Sequence, residues 1–547
     1  MRFILHSHFN ANSVRENLGK PAYSYYFVLK TFQPVLEQLG TVVLVQQPEE
    51  EVDPIYEACT ARGEACVFIS FSPPDSVPVD LKCPTIVLFA WEFSTLPDGS
   101  WDGADLRDDW RYVFNRVDAA ISLSNHTAAV VKDAMGVGFP ILAIATPIWD
   151  RRPHLAATPA PIVDGAVKVR GEIVDTRDYL LSPEMTCEPG FPPPPVETPS
   201  TTVRMEPPDP EASRGSKREP PAAIEGALES DMPNIAAQPP RRGARYRLAV
   251  TKRYIIDWYH EAIRDLLPDV VARAIALAGN VVVVLYRRLT GWKPPPPPPP
   301  PAPPSLMRVT LRGVVYTSMF NPTDGRKNWH DILSAFCWTF REVEDATLVL
   351  KMVKGASHEY RHELFLMLSR LAPYKCRVVA MDGFLEDAEY DALIAASSFY
   401  VNASGCEGLC MPIMEFMSAG RPVIAPRHTA MADYINEDAA FIVASSPEHN
   451  VWPMDPRRLY TTMRERIHWD TLAAAFADSY RVAKQDPARY REMGRNAAET
   501  MRLYCSDAVV REKLRIAVDT ALEASRKHTA AHMEPVQATA MPSQETA

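Results

Sequence analysis

Short apolar runs recur near the start of the chain, at Phe3–Leu5, Val42–Val45, Val67–Ser70, Thr85–Phe89 and Ala119–Leu123. Apolar or β-branched runs of this length are the mark of strands buried on both faces. Between the first two, Phe27, Val28, Phe32, Val35, Leu36 and Leu39 share one face of a 3.6-residue repeat that ends before Gly40, which predicts a helix over 25–39. Strands alternating with helices specify an α/β fold built on a parallel sheet. The alternation returns later, with strands predicted at 314–318, 346–353, 377–381, 399–401 and 422–425. Ile332, Leu333, Phe336 and Phe340 give the buried stripe of a helix that begins after Asn328, a plausible N-cap with Asp331 three residues on. Helices are expected from about 457 to 526, and the polar tail, 527–547, is expected to be disordered.

In the middle this pattern fails. Of the 51 prolines, 29 fall between Arg151 and Ser305. Pro192–Pro195 and Pro294–Pro301 read as polyproline II, and the charged stretch 196–240 as disordered. Within it an apolar helix is expected at about 254–290, with Arg241, Arg242, Arg245, Arg247, Lys252 and Arg253 before it and Arg287 and Arg288 inside its end. Its core, Val270–Tyr286, carries Arg273 and Asn280, which argues against a bilayer span. Such a helix either lies at an anionic membrane surface or packs on protein. The organisation read from the chain is a module at 1–150, a Pro-rich, largely disordered insert at 151–305, and a second module at 306–526.

Composition narrows the classes. A net charge of −10 argues against a general nucleic-acid binder. The nine cysteines form no C-x-x-C pair or Cys/His cluster, so neither a disulfide framework nor a zinc site is indicated, and a reducing cytoplasm is the simple expectation.

The chemistry concentrates in Phe399-Tyr-Val-Asn-Ala-Ser-Gly-Cys-Glu407-Gly-Leu-Cys-Met-Pro412-Ile-Met-Glu415-Phe-Met-Ser-Ala-Gly420-Arg-Pro-Val-Ile-Ala-Pro426. It reads as strand, glycine loop, helix and strand, with Pro412 in the first helical turn and Gly420 at the exit. Gly408, Leu409, Cys410 and Met411 would form the loop and helix start, whose free N–H groups favour a phosphate. Carboxylates repel phosphate, so Glu407 and Glu415 should instead meet hydroxyls, as acidic residues do on ribose. A nucleotide bearing a sugar satisfies both requirements. Arg326 and Lys327 precede another helix start facing the same crevice, where they could hold a diphosphate. Lys351, inside an apolar run, needs either a phosphate partner or an edge position from which to reach water.

The two glutamates, seven residues apart, with the Gly-Arg-Pro-Val-Ile-Ala tail, resemble the signature of the retaining glycosyltransferases of the GT-B fold, the large group 1 (GT4-like) family. That family usually shows Glu-Gly-Phe-Gly-Leu-Pro, from which Leu409-Cys410-Met411 departs, as does Phe416 in the second half of the motif. The resemblance implies two Rossmann-like domains facing a cleft, the first binding mainly the acceptor and the second the nucleotide-sugar, with a last helix crossing back to the first domain. In the first module, Trp91-Glu92-Phe-Ser, Val117-Asp118 and Thr146-Pro147-Ile148-Trp149-Asp150 are similar to that family more weakly. By the same resemblance Gly19 lies close to the donor phosphate, Phe384 and Leu385 edge the base, and His428–Asp433 line the sugar. Lys327 matches the family lysine; the usual arginine is absent from its place and Arg326 is the candidate substitute.

Several residues keep two readings. Glu92 either orients an acceptor hydroxyl or is a salt-bridged carboxylate. His126, after a possible N-cap at Asn125, either nears the donor sugar or sits at a helix start. His6 and His8 share a strand face without a third metal ligand. Asp387, Glu389 and Asp391 read as helix-start charges. The expected function is metal-independent, retaining transfer from a nucleotide-sugar, with no further cofactor, to a glycan or lipid-linked acceptor in surface-polysaccharide or other glycan synthesis. Glu407, Lys327 and Arg326 would carry the chemistry, and peripheral membrane contact would come from the insert. The alternative is a degenerate GT-B protein acting as a membrane-associated scaffold.

Overall fold

The computed structural model describes residues 1–9, 24–100, 105–155, 160–179, 306–352 and 358–533, with isolated positions at 251, 267 and 271. Both modules belong to one compact unit, Met1–Pro194 with Pro303–Ala547. The first holds a parallel sheet of β1 (Arg2–Ser7), β2 (Thr41–Leu44), β3 (Cys66–Phe71), β4 (Thr85–Phe89), β5 (Ala119–Ser122) and β6 (Ile141–Ala143), in the order β2-β1-β3-β4-β5-β6. The order reverses at β1, a switch that opens a crevice beyond the strands' carboxyl ends. Every residue of β3 and β4 is buried, as their unbroken apolar runs require. Helices α1 (Ser24–Glu37), α2 (Pro48–Thr60), α3 (Trp110–Phe114) and α4 (Asn125–Met135) cover the sheet. Phe32, Val35 and Leu36 of α1 are wholly buried against Phe3, Leu5 and Phe71.

The second sheet begins with a strand from the chain assigned above to the insert. β7 (Val163–Asp175) is followed by β8 (Leu306–Phe320), β9 (Ala346–Met352), β10 (Arg377–Phe384), β11 (Phe399–Val401), β12 (Val423–Pro426) and β13 (Ala440–Val443), in the order β13-β12-β11-β8-β7-β10-β9, with β8 also paired to β9. β7 is antiparallel to both neighbours, Arg170 facing Leu306 of β8 and also Phe384 of β10, while the other pairings are parallel. The insert boundary is therefore corrected: residues 163–175 belong to the second domain. Val163, Val167 and Val169 of this strand are buried, the first two packing with Val309, Leu311, Val379 and Met381. Residues 180–250 and nearly all of 251–305, including the expected helix at 254–290, lie outside the described residues, as does Gly19.

Helices α5 (Trp329–Thr339), α6 (His358–Leu371), α7 (Asp387–Ala395), α8 (Met411–Ser418), α9 (Trp469–Gln485) and α10 (Pro487–Cys505) follow in the second domain. The helices expected after 457 are preceded by a hairpin, β14 (Ser445–Asn450) with β15 (Thr462–Ile467). α11 (Asp507–Met533) then buries Val510, Leu514, Ala517, Val518 and Ala521 in the core of the first domain. It runs past Lys527, so the expected disordered tail is corrected at its start; Ala530 and Ala531 favour the helix. Two Rossmann-like domains joined by a helix that crosses back constitute the GT-B fold.

Candidate active site

Glu407 stands in the loop after β11 and is only 3% exposed. Lys327 Nζ meets its Oε1 at 2.7 Å and Arg326 its Oε2 at 3.0 Å. Asn402 Nδ2 donates to Oε1 at 3.2 Å, and the Glu407 N–H donates to Thr429 Oγ1 at 3.0 Å. Burial opposes ionisation of Glu407, but the Lys327 ammonium and Arg326 guanidinium outweigh it and hold the carboxyl well below the ordinary range. Burial likewise opposes charge on Arg326, and Glu92, Glu407 and Asp324 more than compensate. The Arg326 Nε pairs with Glu92 Oε1 across the cleft and with Asp324 Oδ2, both at 3.1 Å. Of the two readings offered for Glu92, the structure shows the salt bridge, made by Arg326.

The loop after Glu407 approaches the first domain closely. A Cβ at Gly408 would stand 3.0 Å from the Ala90 Cβ and 3.3 Å from the Trp91 nitrogen, so only glycine fits without a shift. Cys410 precedes α8 in the left-handed conformation, φ 66°, at the place where the resembling family has glycine. Its Sγ is near Asn402 Nδ2, 3.3 Å away, and burial pushes its thiol up to about 12. Among the described residues no side chain caps the start of α8, so the first-turn N–H groups keep their anion-binding character. Pro412 lies in the first turn as expected. The Leu409 carbonyl accepts from the Tyr434 hydroxyl at 2.6 Å.

Glu415 lies one turn into α8. Its Oε2 accepts from the Tyr390 hydroxyl of α7 at 2.6 Å, and its Oε1 from Arg152 NH1 at 2.8 Å. Burial raises its carboxyl above the usual value, with Arg152 and Tyr390 acting in the opposite sense. Arg152 also binds Asp391 Oδ1 at 2.5 Å, and His154 Nε2 lies 3.0 Å from Asp391 Oδ2. Asp391, read from the sequence as a helix-start charge, is thus part of a network around Glu415. Arg152 escaped sequence reading because an Arg-Arg-Pro triplet after a strand carries no signal of its tertiary partner.

Lys351 is placed differently from the cations at Glu407. Its ammonium donates to the carbonyls of Met352 and Gly383 at 2.6 and 2.5 Å, and burial pushes it down to about 8. It therefore ties the end of β9 to the end of β10, next to Phe384 and Leu385, which are partly exposed. His126 sits in the first turn of α4, whose N-cap is Ser124 rather than the expected Asn125. Its Nε2 and that of His428 are buried with no partner among the described residues. Burial pushes His428 down to about 4, with Glu407 opposing and His126 adding to the shift. His6 gives its Nδ1 to the Val45 carbonyl, 3.2 Å away.

Residues 312–451 match the family model for glycosyl transferases group 1. No curated protein matches the chain. Among solved structures, the chain is similar to a pneumococcal O-GlcNAc transferase, GtfA, in complex with UDP and GlcNAc, at 15% identity over 38% of this chain and 37% of that one, with a TM-score of 0.29. It is also similar to Anabaena HepE in complex with UDP and glucose, at 10% identity over 95% and 99% of the chains, TM-score 0.44. Sucrose-phosphate synthase from Thermosynechococcus elongatus aligns at 11% identity over 97% and 100%, TM-score 0.44. The chain thus spans little more than a third of the length of the first and nearly all of the other two. The sheet orders and the crossing helix, not these distant likenesses, define the fold. The family match supports a glycosyltransferase.

Proposed function

We propose that the protein transfers a sugar from a nucleotide-sugar to an acceptor hydroxyl, with retention of configuration and without a metal. The observation that carries this reading is the buried Glu407 clamped by Lys327 and Arg326 beside an uncapped helix start, with Glu415 one turn further on. The diphosphate would lie on the amides at Leu409–Met411 and draw on Lys327 and Arg326 as negative charge grows on the leaving group. Glu415 would accept from ribose hydroxyls, and Phe384 and Leu385 would border the base. As phosphate takes up the cations, Glu407 is freed towards the sugar, where its charge stabilises an oxocarbenium-like centre. In the transfer the bond from the anomeric carbon to the diphosphate oxygen breaks and that to the acceptor oxygen forms, and the acceptor's proton leaves with the diphosphate.

Glu92 and the Nε2 atoms of His126 and His428, which have no partner among the described residues, would meet the sugar and acceptor hydroxyls. Retention follows the resemblance of the Glu407/Glu415 motif. The cleft between two domains would exclude water and favour transfer over hydrolysis. An acceptor on a glycan or lipid-linked sugar, handled at the cytoplasmic side of a membrane, fits the basic-flanked segment of the insert.

Thermal unfolding with UDP, GDP, dTDP, CMP and ADP tests the reading. At about 100 times its dissociation constant a ligand stabilises the native state by about 2.7 kcal/mol. One nucleotide is expected to raise the unfolding temperature of the native protein and not that of Glu415→Ala. No shift with any nucleotide would count for the scaffold reading.

A further inference from the structure

We propose that Arg152 is a positioning residue for the donor's ribose, holding Glu415 so that the carboxylate can accept from two vicinal hydroxyls. The inference rests on the proposed nucleotide-sugar reading and adds to it a residue from outside the second domain. Arg152 lies on the strap that leaves the first domain after β6, between two short 3-10 turns at Trp149–Arg151 and Pro153–Leu155. The strap is fixed where the chain crosses back: the Ile148 N–H donates to the Cys505 carbonyl at 3.3 Å, and the Asp507 N–H to Asp150 Oδ2 at 2.7 Å.

From there the side chain reaches into the second domain and is only 16% exposed. Its NH1 donates to Glu415 and its Nε to Asp391, while the guanidinium lies over the Tyr390 ring, 4.9 Å from its centroid. A planar fork stacked on an aromatic ring is a pose that lysine cannot copy. Among the described residues Glu415 has one donor on each oxygen, Arg152 on Oε1 and Tyr390 on Oε2. A carboxylate oxygen has two acceptor positions. One therefore stays open on each oxygen, the arrangement that two neighbouring hydroxyls require.

The charges show why an arginine is needed. Glu415 and Asp391 are two carboxylates in one buried network, and Asp391 disfavours ionisation of Glu415. Without the guanidinium between them, Glu415 would lose the donor on Oε1 and face the second carboxylate unscreened. Arg152 thereby makes the shape of the ribose site depend on the strap between the domains.

The opposite role is also physical: a side chain on Glu415 could simply block it. Affinity for ribo- and 2′-deoxyribonucleotides separates the two. Calorimetric titration of the full chain with UDP and 2′-deoxy-UDP, and with the guanosine and adenosine pairs, would be run on the native protein, Arg152→Met, Arg152→Lys and Tyr390→Phe. The native protein should prefer one ribonucleotide over its deoxy counterpart by roughly tenfold. In Arg152→Met that preference should fall below about twofold, with the donor KM rising by the same factor as the lost affinity and kcat changing less. Arg152→Lys should fall between. Tyr390→Phe, which keeps all charges, should lose part of the preference and serves where Arg152→Met does not fold. Equal weakening of both nucleotides would make Arg152 a purely structural strap, and tighter binding would make it a plug; either overturns the proposal. If the native protein bound none of the nucleotides, the donor reading itself would fall, and this one with it.

Discussion

Glu407 shows what one carboxylate must satisfy to remain ionised in a nearly closed site. Lys327, Arg326 and Asn402 together replace the water it has lost. Because its folded-state value lies well below the unfolded one, near 4.3, the stabilisation is complete above that value and is lost as pH falls through it towards the folded value. Glu407→Gln is expected to cost about 3 kcal/mol at pH 7, the low end for a broken buried pair because Arg326 keeps Glu92 and Asp324. The deficit should shrink below about pH 4, where the carboxyl of the unfolded chain begins to take up a proton while the folded one stays ionised. Urea unfolding at pH 7 and pH 3.5 measures both; a deficit independent of pH would mean that the charge is not what matters. Transfer should fall by at least about a hundredfold, the scale for losing a charged group that acts on the transition state. The sequence announced Glu407 and its spacing to Glu415 because both lie in one contiguous loop and helix. It was silent on Arg152, whose partners lie on α7 and α8, more than two hundred positions later.

At the scale of elements, strands buried on both faces were the most legible, since their apolar runs are uninterrupted. β11 was found at Phe399–Val401, and β4 at Thr85–Phe89, as expected. β7 was missed although its signal was present: Val163, Val167, Val169 and Ile173 alternate with Asp164, Lys168, Arg170 and Glu172. The prolines on either side hid that period of two. The hairpin of β14 and β15 was missed for another reason, since Ser445–Asn450 and Thr462–Ile467 are largely polar and form strands through each other's backbone. The crossing helix α11 came from the resemblance, and its packing gives a direct test. Leu514 is fully buried in the first domain's core. Leu514→Ala should therefore cost about 2–4 kcal/mol, and urea unfolding followed by first-domain tryptophans and by overall helicity should shift together. If only the helical signal shifted, the helix would be an appendage rather than a shared part of the core.

For the whole molecule, the placement of β7 decides which residues can be removed. A deletion of 156–305, nearly all of the insert as read from the sequence, would take out the strand that pairs with both β8 and β10. The second domain should then fail to unfold cooperatively, because β10 and the first half of β8 would each expose an unpaired edge. A deletion of 180–305 leaves every described pairing in place. The chain must then return from Tyr179 to Leu306, which lies opposite Arg170; the strand from Arg170 to Asp175 rises about 17 Å. A flexible Gly/Ser linker of about ten residues spans that distance. This shorter protein should match the native one to within about 1 kcal/mol in urea unfolding and bind the same nucleotide with the same affinity, since Lys327, Arg326, Glu407, Glu415 and Arg152 all lie outside the deletion. Its binding to vesicles with and without anionic lipid then isolates the insert. A loss of salt-sensitive binding would assign membrane contact to the basic-flanked segment at 241–288. Unchanged binding would move that contact to the folded domains and leave the insert a role in partner choice.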